Sequence, residues 1–191
     1  MSPNEPDFNI VANDLISNEF RRMGITKFQE AATFIQNLKY GRNVDKENLA
    51  TIFSDKCGTC STKHAVLKTL AGENAFLHIG LRLGIFKMNA ENTPKIAKTL
   101  EEARLKYIPE AHNFLRYNGH ILDYTSTTSD AGSFEKDLLE ETAISPEQIG
   151  TFKVNYHKRY LQKWLASEPS VKYSVNEIWS IREQCIKALS Q

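Results

Sequence analysis

The chain of 191 residues predicts an α+β protein. Apolar residues recur at helical spacing in the first and last thirds. The middle third carries strand-like runs, two of them joined by Asn118-Gly119, the strongest short-range hairpin signal. We find no internal repeat and no low-complexity linker, so residues 1–191 read as a single domain. Its core spans about 26–126, and a C-terminal helical extension spans about 134–191.

Residues 1–7 are polar and Pro-bearing and predict no regular element. Ile10, Val11, Leu15, Ile16 and Phe20 have helical spacing, ending near Gly24. Thr26 is placed to cap a second helix, with Gln29 as capping-box partner. Phe28, Ala31, Ala32, Phe34, Ile35 and Leu38 form its apolar side, and 40–43 stops it. Residues 45–55 predict a short helix or turn. After Gly58-Thr59 comes a central helix with Ala65, Val66, Leu67, Leu70 and Ala71, broken at 72–74. Residues 76–86 predict a strand, and 94–105 a helix with Pro94 near its first turn. Two strands, 111–117 and 120–125, form the hairpin, and a polar loop follows over 126–133. The remainder predicts helices at 134–141, from Ser145 to about Ala166, and from about Val175 to Leu189.

The bulk numbers exclude several function classes. Hydrophobic residues make up 41% and charged residues 25%, ordinary for a soluble globular protein. With 24 basic and 23 acidic side chains, long-range attraction to nucleic acid or an anionic membrane is not expected. Residues 154–164 are aromatic and basic, but Val154, Tyr156, Tyr160, Leu161 and Trp164 follow core spacing rather than an RNA-binding pattern. Three cysteines make no disulfide framework, and no apolar run approaches the ~20 residues of a membrane span. The start of the chain has neither the basic nor the apolar part of a signal peptide, so the expected location is cytoplasmic. No cofactor and no metal site is expected: a structural zinc needs four ligands, and Cys185 sits in a helical apolar neighbourhood.

The candidate chemistry begins at Cys60. A thiol in the first turn of a buried helix lies near the positive end of the helix dipole, which favours thiolate. A nucleophile also needs a base, and the base needs a group to orient it. A two-residue turn at Asn118-Gly119 pairs Tyr117 with His120, Arg116 with Ile121, Leu115 with Leu122, Phe114 with Asp123, and His112 with Thr125. His112 and Asp123 then share a sheet face as diagonal neighbours, roughly 7–8 Å apart at the backbone. His120 falls on the other face. Register decides which residues share a face, since a bulge would reverse one strand's faces.

On these residues the chain resembles the transglutaminase-like, papain-related cysteine enzymes. Gly58-Thr59-Cys60 with the small Ala65 later in the helix matches the family's cysteine motif. His112-Asn113-Phe114 matches its His, small residue, aromatic, and Asp123-Tyr124-Thr125 its Asp-x-Thr. Asn113 stands where Ala is commoner, and Phe114 where Trp is. The match covers about 57–126. The resemblance implies a transglutaminase-like/papain-like core, with the cysteine helix packed on a small antiparallel sheet and helices flanking it at both ends. It implies a cysteine-dependent hydrolase or acyltransferase acting on an amide or peptide bond through a thioester, with a peptide or small amide as substrate. Cys60 would be the nucleophile, His112 the base and then acid, and Asp123 the group that holds the His112 tautomer. The Cys60 N–H would contribute to an oxyanion hole, with Gln29, Gln36 or Asn43 as second donor.

Three other readings stand beside this one. The same fold can serve as a catalytically silent binding or scaffold domain. Cys57-Gly58-Thr59-Cys60 is also a Cys-x-x-Cys of the thiol–disulfide oxidoreductase type. His64, four residues after Cys60, lies on the same helix side and is a competing base. His78 and His157 have no partner pattern.

Overall fold

The helix that carries Cys60 is mostly apolar from Ala65 to Ala71, a run with apolar residues on more than one side that requires burial. In the computed structural model, which describes residues 5–129 and 131–189, this is Cys60–Glu73, helix α4 of eight. Residues 1–4 of the expected irregular start, residue 130 of the expected loop and the last two residues lie outside the described part.

The helices before it are Leu15–Arg22 (α1), Phe28–Asn37 (α2) and the short Thr51–Asp55 (α3). Two-residue strands Lys39–Tyr40 (β1) and Cys57–Gly58 (β2) pair in parallel. After α4 come Gly80–Asn89 (β3), Ala97–Glu102 (α5), Tyr107–Tyr117 (β4), His120–Leu122 (β5), Ala131–Glu135 (α6) and Leu138–Ala143 (β6). Helices Thr151–Ser167 (α7) and Val175–Leu189 (α8) close the chain. The larger sheet has strand order β5-β4-β3-β6. The molecule is therefore a mixed α+β protein with a small antiparallel sheet and several helices.

The hairpin has the expected register for three pairs, Tyr117 with His120, Arg116 with Ile121, Leu115 with Leu122. But β5 ends at Leu122, so the expected pairs of Phe114 with Asp123 and His112 with Thr125 are not part of the ladder. Asn118 and Gly119 both take positive φ, 49° and 82°, as a tight turn matched to strand twist requires. Elsewhere the boundaries move. Residues 9–14 form no helix, with Asn9 bridging to Lys27, so α1 starts only at Leu15. Glu30, not Gln29, accepts the Thr26 and Lys27 amides at the start of α2. The expected helix over 134–141 is a helix only to Glu135 and then becomes strand β6, whose neighbour Ile144 donates to Leu81 O. The long helix after Ser145 is a 3-10 turn, Pro146–Ile149, interrupted at Gly150 before α7.

The chain divides into two compact units, and it crosses between them inside β3, β4 and β6. The first unit holds the described residues of Met1–Leu83, Asn113–Ala131 and Thr142–Gly150. Here α1, α2 and the 3-10 turn pack on α4, whose Ala65, Val66, Leu67, Leu70 and Ala71 are all fully buried. Edge-to-face contacts of Phe20 with Phe34 and Phe53 fill the space beside it. The end of α4 also fastens the start of the chain. Glu73 accepts both the Ile16 and Ser17 amides in the first turn of α1, and Asn74 Oδ1 accepts the Val11 and Ala12 amides. A carboxylate there satisfies helix N–H groups that have no partner within the helix.

The second unit holds Gly84–His112, Gly132–Glu141 and the described residues of Thr151–Gln191. Its core packs α7 and α5 against α8 around Leu100, Leu161, Ile178 and Cys185. A buried ion pair sits within it: Arg182 Nε and Nη2 donate to Glu110 Oε2 and Oε1 at 2.8 and 2.6 Å. Burial disfavours both charges, yet the opposed guanidinium holds the Glu110 carboxyl below its ordinary range. His157, 1% exposed, bonds the Pro109 carbonyl through Nε2 at 2.7 Å.

Candidate active site

Gly58 is a glycine because of crowding. A Cβ there would lie 3.0 Å from Ile52 Cδ1, Lys63 Cγ and Thr62 Oγ1. This close approach lets the chain turn from β2 through the extended Thr59 directly into α4. Thr59 is the N-cap, and its amide donates to Thr62 Oγ1 at 3.0 Å. Cys60 is thus the first residue of a 14-residue helix, as the sequence predicts, and is 7% exposed. The helix-end field acts on its thiol.

Lys63, one turn on, is fully buried on the same helix. Its ammonium donates to Leu38 O at 2.6 Å, Thr125 O at 2.7 Å and Gln36 O at 3.3 Å. Two of those carbonyls belong to the end of α2, where a cation is electrostatically favoured. Burial lowers its pKa to about 8, against the opposing pull of Asp123, Cys57 and Cys60. The same charge lies close enough to Cys60 and Asp123 to stabilise both as anions.

His64 is also fully buried. The Tyr124 amide donates to Nε2 at 2.8 Å, so Nε2 accepts and the proton resides on Nδ1, which donates to Cys60 O at 2.7 Å. Both ring nitrogens are occupied by backbone, which casts His64 as a clamp between the first turn of α4 and the segment after β5. Asp123 Oδ1 lies 3.5 Å from that ring and accepts the Thr125 amide at 2.9 Å and its hydroxyl at 2.5 Å. The Asp-x-Thr pattern is therefore a self-bonded turn that fixes the carboxylate. Cys60 and Asp123 both belong to the first unit and are connected there through His64.

His112 belongs to the second unit as the last residue of its share of β4. Its ring stands edge-on to Phe134 at 4.9 Å and to Phe86 at 6.0 Å, contacts that restrict its rotation. The next residue, Asn113, is fully buried in the first unit. Its Oδ1 accepts the Ser61 hydroxyl at 2.9 Å, and its Nδ2 donates to Arg82 O at 2.9 Å. An Ala at 113 would make neither bond.

Of the three oxyanion candidates, Asn43 spends its amide on Asp55 and Cys57 O, and Gln36 donates to Ser126 O at 3.0 Å. Gln29 is half-buried near the start of α2. None of the three cysteines forms a disulfide: Cys57 is directed toward Arg42 O, and burial raises the Cys185 pKa to about 11. No group of three or more potential metal ligands occurs among the described residues. Among them, too, no helix is long and apolar enough to cross a membrane.

Sequence reasoning missed Lys63 and the Ser61–Asn113 bond. The same helix also carries Lys68, and nothing in the local pattern tells the buried lysine from the half-buried one. Compared with protein-family models, curated proteins and solved structures, the chain matches none of them.

Proposed function

We propose that the chain is a cysteine-dependent hydrolase or acyltransferase with a transglutaminase-like core, acting on the amide bond of a peptide or small amide. Cys60 is the nucleophile, His112 the base and Asp123 the carboxylate that orients it. The observation that carries the reading is the Ser61–Asn113 hydrogen bond, because it ties the residue after the thiol to the residue after the imidazole. The fixed Asp123 turn and the position of Cys60 as first residue of α4 support it.

In this mechanism His112 takes the Cys60 proton as sulfur attacks the carbonyl carbon. The tetrahedral oxyanion collapses to a thioester while the amine leaves with that proton. Water or an acceptor amine, deprotonated by His112, then attacks the thioester and regenerates the thiol. The Cys60 N–H and one polar side chain stabilise the oxyanion.

Site-resolved iodoacetamide labelling tests this near neutral pH. Cys60 should react at least about tenfold faster than Cys57 and Cys185, and His112→Ala should remove that advantage. Equal, slow labelling of all three thiols would instead identify a catalytically silent scaffold.

A further inference from the structure

The second unit contains a cavity of about 650 Å³, in the range of small-molecule sites. Three aromatic residues line it: Tyr107, Trp164 and Tyr173. Trp164 donates its indole N–H to the Tyr107 hydroxyl at 2.9 Å, with the rings 5.6 Å apart. Tyr107 Oη is thus used as an acceptor, and among the described residues nothing receives its hydrogen. The Tyr173 hydroxyl donates to Ala103 O at 3.0 Å, which fixes that wall.

Arg104, Lys106 and Lys172 also line the cavity. Among the described residues, none of the three makes a side-chain hydrogen bond or an ion pair. The acidic lining residue, Glu168, leaves the charge positive. Arg104 occupies a left-handed position, φ 53°, just past the end of α5, where glycine would be the cheaper residue. Flat apolar walls, a hydroxyl with its hydrogen still to donate and three cations without a side-chain partner among the described residues are complementary to an aromatic anion.

We propose that this cavity binds a small aromatic ligand bearing a carboxylate or phosphate group. The ring packs against Tyr107 and Trp164, and the anionic group meets Arg104, Lys106 and Lys172. The Tyr107 hydroxyl donates to a ligand acceptor. This site is independent of Cys60 and does not rest on the proposed amide chemistry.

Isothermal titration calorimetry of the full chain tests it with three probes: indole-3-acetate, its neutral amide and inorganic phosphate. Indole-3-acetate should bind saturably, at least about tenfold tighter than the amide, and more weakly at high salt. The double variant Arg104→Ala, Lys106→Ala should lose most of that preference, and Tyr107→Phe should weaken binding with folding intact. Binding by phosphate alone as tight as by indole-3-acetate would overturn the aromatic half of the proposal. Equal binding of acid and amide, or no saturable binding, would overturn the proposal altogether. Amide NMR shifts of residues 103–107 in the same titration should move with saturation, and shifts confined to other residues would place the binding elsewhere and overturn the proposal.

Discussion

Lys63 shows how one residue can connect stability with reactivity. Its ammonium joins the end of α2 to the turn after β5, and it places positive charge near Cys60 and Asp123. A folded-state pKa of about 8 is below the ordinary 10.5, so between those values the unfolded chain holds more protons. Stability from this group therefore rises with pH across that window. Urea unfolding of the wild type against Lys63→Met should show the wild type gaining up to about 3 kcal/mol relative to the variant between pH ~8 and pH ~10.5. A constant difference would mean that burial does not depress this ammonium. His64 and Asn113 illustrate the same economy, since each spends both of its polar ends on fixed partners.

Among the elements, the β4–β5 hairpin was the most legible. Asn-Gly specifies a turn with positive φ at both positions, and that turn fixes the register of three pairs without reference to the rest of the fold. Gly119→Ala should accordingly cost about 1 kcal/mol, read as a lower urea midpoint with unchanged slope, because φ is +82° and the site is otherwise open. The start of α4 at Cys60 was equally readable from Gly58-Thr59. Strand β6 was not: Leu138-Leu139-Glu140-Glu141 has helical propensity and no alternation, and its strand state comes from pairing with β3, far away in sequence. The two-residue β1 and β2 were unreadable for a related reason, since so short a parallel pair leaves no periodic trace. Lys63 escaped notice because local pattern cannot show which carbonyls a buried cation will meet.

For the whole molecule, the near balance of charge leaves acid sensitivity to a few buried groups. His157 has its pKa lowered by burial from an ordinary value near 6.5, partly opposed by Glu110 and the Pro109 carbonyl. Below pH ~6.5 the unfolded chain takes up a proton that the folded chain refuses, so stability falls as pH drops. Glu110, held ionised by Arg182 against its burial, contributes stability above its ordinary 4.5 that is lost at lower pH, as its folded pKa is approached. Thermal melts should show two successive losses on acidification, and His157→Phe should remove the earlier one. If both variant and wild type fall in parallel from pH ~6.5, another group controls that limb.

Glu73 and Asn74 also bear on how the chain is made. They grip residues 56 to 63 positions earlier, so α1 has no docking site until the ribosome has delivered the last turn of α4. Nascent chains stalled before residue 73 should leave residues 11–22 open to protease, and chains with that helix fully emerged should protect them.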